Sequence, residues 1–333
     1  MSKLGEKMYK IDDLVYPISR FCPGRCVNCN IYKEDAQIEK ETPLELFEKL
    51  IQSKVLKDTF YFSLTGGESQ LSPKFIPILE IIYKYKQNAY IHSNTSGWHT
   101  KKTLEIAQKG LQLFGDRFRI DISVDGTKEV YEKIRLTKDG WQKAMNTADE
   151  LKKLGMKPTF VMIVYKQNYK TIENFIEMCH KKGVNWYIGF YVESENFNNK
   201  GKVEHFTKQE IEEIEKILEK IGFLDTKHYV NWLWAKSIYL NQLPKFECLM
   251  GSRSIMIDAY GDVFPCGGGQ ETRLQRMLFM GNIKDFNGDL DKLLYSQKAL
   301  KVLDNIAKQK CQPCDLLCAH KVKFPWGNGT GMI

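Results

Sequence analysis

Phe21-Cys22-Pro23-Gly24-Arg25-Cys26-Val27-Asn28-Cys29-Asn30 sets three cysteines on one short loop, with the spacing C-x3-C-x2-C. A tight turn can point three thiolates at one metal centre. Three is one fewer than the four cysteines that close an ordinary iron–sulfur site. A [4Fe–4S] cluster held by Cys22, Cys26 and Cys29 keeps one iron free for an outside ligand. Two other readings stand beside this one, a zinc knuckle and buried structural cysteines. Zinc wants a fourth Cys or His close by, and the nearest histidine, His92, is far away in the sequence.

Outward from the loop, strand-like and helix-like segments alternate as far as about residue 190. Apolar runs predict strands at Leu14–Ser19, Thr59–Leu64, Ala89–Ser93, Phe118–Val124, Thr159–Tyr165 and Trp186–Tyr191. Helical patterns lie between them at Pro43–Ser53, Pro73–Lys86, Lys101–Leu113, Gly140–Leu154 and Thr171–Lys182. The first of these starts with Thr42 as a cap and Pro43 at the first helical position. Such alternation implies an α/β fold, a parallel sheet with right-handed crossovers. Catalytic groups in these folds gather at the C-terminal ends of strands, and the cysteine loop follows the first strand directly. Residues 192–206 are polar and turn-rich and read as a linker. Lys208–Ile221 carries a stripe of Ile211, Ile214, Ile217, Leu218 and Ile221, as a helix packed on the sheet would. Tyr229–Leu240 predicts a further helix, with Trp232 and Trp234 as packing residues.

Composition narrows the function classes. The chain has 333 residues, 43% of them hydrophobic, enough for a large core. No apolar run is long enough to span a membrane, and the charged N-terminus is not a signal peptide. Nine cysteines without an export signal point to a reducing, cytoplasmic setting and to metal ligation rather than disulfides. The net charge of +8 comes from dispersed lysines, which reads as a solvated surface, with a weak pull on an anionic partner as the alternative.

The second predicted strand ends in Leu64-Thr65-Gly66-Gly67-Glu68. Two glycines let backbone approach a ligand closely, and a carboxylate can receive an ammonium group. Behind a C-x3-C-x2-C loop, this motif resembles the radical S-adenosylmethionine (radical SAM) superfamily, which uses it to hold the methionine amino group. The resemblance implies a partial (β/α)6 TIM barrel and a cluster whose open iron binds S-adenosylmethionine. It makes Gly66, Gly67, Glu68, Ser93, Asn94, Ser123 and Arg135 candidates for binding that cofactor, with Arg135 suited to its carboxylate. Thr95 stands where the family usually has Gly. Asn28 stands where an aromatic residue often stacks near adenine, which leaves Tyr32 as a substitute. The run from Ser123-Val124-Asp125-Gly126 to Tyr131 and Arg135 resembles the peptide- and sugar-modifying branch.

The C-terminal third holds Cys248, Cys266, Cys311, Cys314 and Cys318. Alternating apolar residues around Gly261-Asp262 predict a β-hairpin, whose turn chemistry accounts for Asp258 and Asp262. The frame resembles the SPASM extension or its shorter twitch form, which implies an auxiliary [4Fe–4S] cluster on Cys248, Cys266, Cys311 and Cys314, with Cys318 a spare or alternative ligand. A structural zinc ribbon is the rival. Cys179, within an amphipathic segment, reads as a buried small hydrophobe. The domain expectation is a barrel over 1–206 and a helical linker with the cysteine-rich hairpin-plus-helix subdomain over 207–333.

The resemblance implies reductive cleavage of S-adenosylmethionine to a 5′-deoxyadenosyl radical, which takes a hydrogen atom from a substrate carbon. A ribosomally made peptide is the favoured substrate, and a sugar, aminocyclitol or other small molecule the alternative. A non-catalytic iron–sulfur or zinc protein is the alternative of another class. About twenty residues precede the first cluster, fewer than a leader-recognition domain needs. Cys266 is followed by Gly267-Gly268-Gly269, so no acid stands beside it. An electron donor such as flavodoxin or ferredoxin is the expected protein partner, with no nucleic acid and no membrane.

Overall fold

The computed structural model describes residues 9–191, 193, 199, 201, 204–223, 229–242, 246–267, 277–311, 320–324 and 327–331. Six strands pair in chain order and in parallel: β1 (Asp13–Ser19), β2 (Tyr61–Gly66), β3 (Tyr90–Thr95), β4 (Phe118–Ser123), β5 (Thr159–Val164) and β6 (Asn185–Phe190). The crossovers carry α1 (Leu44–Ile51), α2 (Phe75–Tyr85), α3 (Thr100–Phe114), α4 (Lys128–Arg135), α5 (Gly140–Lys153) and α6 (Ile172–Lys182). This is the expected partial (β/α)6 barrel. Every predicted strand and helix of this part appears, within two residues at most boundaries. The short helix α4 is an addition, because its eight residues give too brief a period to stand out.

Burial along the strands alternates as the sheet pleat requires. Ile91, Ser93 and Thr95 of β3 are buried, and His92 and Asn94 face the other side half-buried. Helices cover the buried face. In α1, Phe47, Leu50 and Ile51 are buried against the sheet, at about 1.5–3 kcal/mol of apolar burial each. The start of α1 differs from expectation. Pro43 is the extended cap residue, and Thr42 makes no side-chain cap. Its hydroxyl instead donates to the Ala259 carbonyl at 3.2 Å, and its amide to the same oxygen at 2.8 Å. A tertiary acceptor has taken the group that local capping would have used.

That acceptor belongs to the C-terminal third. Two helices follow β6, α7 (Lys208–Lys220) and α8 (Tyr229–Tyr239). A capping box between Thr207 and Glu210 starts α7. Trp232 and Trp234 of α8 are buried, in keeping with a packing role. The strand β7 (Phe246–Cys248) leads to the predicted hairpin, β8 (Ser254–Ile257) and β9 (Asp262–Phe264), with β10 (Gly281–Asn282) beside it. Strand β8 pairs in parallel with β1, matching Asp13 to Ser254. One nine-stranded sheet therefore runs from the hairpin into the barrel, with β10 and β6 at its edges. The helices α9 (Leu290–Leu294) and α10 (Gln297–Ala307) lead to Cys311. A second sheet joins β7 to β11 (His320–Phe324) and β12 (Gly327–Gly331). The linker expected over 192–206 and Cys314 and Cys318 lie largely or wholly outside the described residues. Among those described, no helix is long and apolar enough to cross a membrane.

Candidate functional site

The cysteine loop leaves the C-terminal end of β1 and is held from several sides. Arg20 and Glu34 flank it and form a two-pronged ion pair, Nε to Oε2 at 2.9 Å and Nη2 to Oε1 at 2.6 Å. The Gly67 amide donates to the Ser19 carbonyl and the Glu68 amide to the Phe21 carbonyl, both at 2.8 Å. The Val27 amide donates to the Ile134 carbonyl at 2.9 Å, which ties the loop to the last turn of α4. Asn199 Nδ2 donates to the Asn28 carbonyl at 2.9 Å, and Asn28 Nδ2 to the Tyr165 hydroxyl.

These bonds give the glycine pair a packing role as well. A Cβ at Gly66 would lie 2.2 Å from the Ser19 carbonyl oxygen, and one at Gly67 the same distance from that of Phe21. The glycines thus admit the backbone just ahead of Cys22, and both also line the cavity beside it. Gly66, at φ +134, also adopts a conformation that only glycine takes freely.

Cys22, Cys26 and Cys29 line one cavity of about 340 Å³ at the C-terminal ends of the strands, together with Gly66, Gly67, Glu68, Asn94, Ser123 and Arg135. Burial pushes the Cys22 thiol up to about 12; the Gly24 backbone opposes this, and Glu68 and the other two cysteines add to it. Burial raises Cys29 as well. The thiols of Cys22 and Cys29, raised in this way, resist ionisation alone, and a cationic centre beside them would relieve that resistance. Among the described residues, no group of three or more His, Cys, Asp or Glu side chains is arranged to hold one metal ion; the three thiols surround a cavity instead.

Glu68 is buried, and its carboxylate is fixed by Thr95 Oγ1 at 2.6 Å and the Ser96 amide at 2.9 Å. Thr95, the departure from the usual Gly, therefore has a definite role as a donor to Glu68. Two oxygens at the cavity, Asn28 Oδ1 and Asn94 Oδ1, are buried with no hydrogen-bond partner among the described residues. Such groups are costly unless a ligand supplies a donor. Ser93 is not part of this wall. Fully buried on the opposite face of β3, its hydroxyl accepts from Gln70 Nε2 at 3.3 Å. Tyr32 does not line the cavity either; the aromatic surfaces there are Trp98, Tyr165, Phe190 and Tyr191. These four escaped sequence reading, although each lies at or just beyond a strand's C-terminal end.

Arg135 reaches the cavity from α4 with its Nε 2.7 Å and its Nη2 2.5 Å from Asp125 Oδ2. Its Nη1 lies 3.8 Å from Cys26 Sγ. Burial opposes the guanidinium charge, but Asp125 and then Cys26 outweigh it and hold the group protonated.

A second cysteine group forms where Cys248 ends β7, Cys266 follows β9 and Cys311 follows α10. Burial pushes the Cys248 thiol up to about 12 against a Met250 backbone hydrogen bond, with Cys266 and Cys311 near enough to add to the rise. Asp258 Oδ1 accepts from the Tyr260 and Asp262 amides, each at 2.9 Å, which is the turn role expected of it. Cys179 is fully buried in α6, as a small hydrophobe would be.

The model of the radical SAM superfamily matches residues 16–179, and that of the iron–sulfur cluster-binding SPASM domain matches 248–315. The sporulation killing factor maturation protein SkfB of Bacillus subtilis (strain 168) is 23% identical over 121 residues, 36% of this chain. The chain spans only 28% of SkfB's length. The cysteine-type anaerobic sulfatase-maturating enzyme of Clostridium novyi (strain NT) is 23% identical over 284 residues, 78% of this chain and 74% of that enzyme. Streptococcus suis SuiB bound to S-adenosylmethionine matches in fold with a TM-score of 0.68 at 17% identity, over 95% of this chain and 74% of SuiB. SuiB is also solved bound to precursor peptide SuiA. The two family models identify iron–sulfur clusters and S-adenosylmethionine as the cofactors.

Proposed function

We propose that this chain, which belongs to the radical SAM superfamily and carries a SPASM domain, modifies a ribosomally made peptide by crosslinking, epimerisation or oxidation. One observation carries the catalytic part: three thiols and the fixed carboxylate of Glu68 face a single cavity. The peptide part rests on likeness to SkfB, a maturation protein, and to SuiB, solved with a precursor peptide.

Cys22, Cys26 and Cys29 would hold a [4Fe–4S] cluster with one open iron. When bound, the cluster and S-adenosylmethionine supply one-electron chemistry that lets a hydrogen atom leave an unactivated substrate carbon. The protein's part is positional. Glu68, set by Thr95 and Ser96, would receive the amino group of the methionine moiety by a charge-assisted bond. Asn28 Oδ1 and Asn94 Oδ1 offer acceptors to the cofactor's remaining donors. Ser123 and any free edge of Arg135 would meet its other polar groups. Trp98, Phe190, Tyr165 and Tyr191 give flat, apolar walls that exclude water. Cys248, Cys266, Cys311 and Cys314, with Cys318 in reserve, would hold the auxiliary cluster. We place the division between the barrel and auxiliary portions at 206/207.

The test is anaerobic reconstitution with dithionite and S-adenosylmethionine, followed by mass spectrometry of candidate precursor peptides and small molecules. The expected result is a peptide mass change coupled to 5′-deoxyadenosine. Turnover of a sugar or aminocyclitol with inert peptides would instead establish the small-molecule alternative.

A further inference from the structure

The three-cysteine loop is gripped from one side by the end of α4 through two contacts. The Val27 amide bonds the Ile134 carbonyl at 2.9 Å, and Arg135 Nη1 points at Cys26 Sγ at 3.8 Å. Sulfur is a large, soft acceptor, so a guanidinium N–H at this distance is a weak, charge-assisted donor to it. Cys26 is the most buried of the three thiols, which leaves little solvent to screen the contact.

The guanidinium is itself held in place. Asp125 takes its Nε and Nη2 on one carboxylate oxygen. The other, Oδ1, accepts the Ile163 amide at 3.0 Å. Asp125 is fully buried and sits at φ +57, an uncommon region for a residue with a side chain. The fully buried Asn168 secures that conformation. Its Nδ2 donates to the Asp125 carbonyl at 2.9 Å and to the Ile163 carbonyl at 2.8 Å, and its Oδ1 accepts the Tyr165 amide at 2.6 Å. Backbone in a sparsely populated region, fixed by this many bonds, marks a carboxylate whose direction matters.

We propose that Asp125 and Arg135 form a positioning pair that sets the reduction potential of the cluster on Cys22, Cys26 and Cys29, through the Arg135 N–H directed at Cys26 sulfur. This rests on the reading that these cysteines hold the cluster. Potentials of such clusters respond to hydrogen bonds at sulfur and to local charge. Reduction adds one negative charge. The Arg135 cation and its N–H stabilise that charge, and the Asp125 anion opposes it. The two residues therefore pull in opposite directions, and each substitution has its own sign.

The experiment is a potentiometric titration of reconstituted full-length protein, followed by the electron paramagnetic resonance signal that responds to S-adenosylmethionine. Iron content and thermal unfolding are measured on each variant. Arg135→Gln should lower the ratio of reduced to oxidised cluster at a fixed solution potential about tenfold, about 59 mV for a one-electron couple. Asp125→Asn should raise that ratio by a comparable factor. Arg135→Lys, which keeps the charge and loses the planar fork, should fall between Arg135→Gln and the wild type. Simple loosening of the loop would move all three variants the same way. Shifts of one sign, or none in loaded protein, would overturn the proposal. Should Arg135→Gln fail to load iron, Asp125→Asn and Arg135→Lys still decide the sign. Wild-type protein without an S-adenosylmethionine-responsive signal would instead remove the underlying cluster reading.

Discussion

Replacing Cys22, Cys26 and Cys29 together by Ala is expected to abolish formation of 5′-deoxyadenosine with dithionite, a loss of at least about a thousandfold given usual enzymatic accelerations. The same variant should lose about four irons per chain, the content of one cubane cluster. Loss of the thiols should not unravel the barrel. The loop's other anchors need no cysteine: the Arg20–Glu34 pair, the amides of Gly67 and Glu68 on the Ser19 and Phe21 carbonyls, and the Val27 amide on Ile134. Circular dichroism should therefore show native secondary structure in a protein without cleavage activity. Cleavage that persists in the folded triple variant would refute the role of these cysteines.

The second large effect concerns the auxiliary site. A Cys311→Ala, Cys314→Ala variant should lose the other four or so irons, still cleave S-adenosylmethionine slowly without substrate, and form no product. The hairpin that carries Cys266 joins the barrel sheet through β8 on β1, and none of those backbone bonds depends on a thiolate. The first cavity should thus survive the loss. Two causes of lost product are separable. A missing electron acceptor leaves substrate affinity and thermal stability intact. A missing structural cluster lowers both, because metal binding is coupled to folding. Product formation that continues in protein shown to lack the second cluster would exclude a catalytic role for it. One zinc in place of four irons in the wild type would establish the ribbon reading.

The barrel was legible in the sequence because strand and helix periods are local properties. The same holds for the hairpin around Gly261 and for the stripe of Ile211, Ile214 and Leu218, all three buried. The cysteine loop and Glu68 were legible because their spacing carries chemistry. What escaped depends on partners distant in the chain. Thr42 looked like a helix cap and bonds Ala259 instead. Gly66 and Gly67, which line the cavity, also make room for the backbone of residues 19–21, a packing role set by β1. Asp125 and Arg135 are ten residues apart, and only the turn after β4 with helix α4 makes them a pair. Strand alternation separates Ser93 from Asn94. Of these two neighbours, which face opposite sides of β3, Asn94 lines the cavity. The aromatic wall could have been sought in the same way, since Tyr165 and Tyr191 ended their predicted strands.

The most direct measurement is electron paramagnetic resonance of anaerobically reconstituted, dithionite-reduced protein, recorded with and without S-adenosylmethionine. An open iron on the three-cysteine loop predicts a cluster signal that changes on adding the cofactor and is absent from the Cys22, Cys26, Cys29 triple variant. Fully iron-loaded wild-type protein whose signal is indifferent to S-adenosylmethionine, and which forms no 5′-deoxyadenosine, would contradict it.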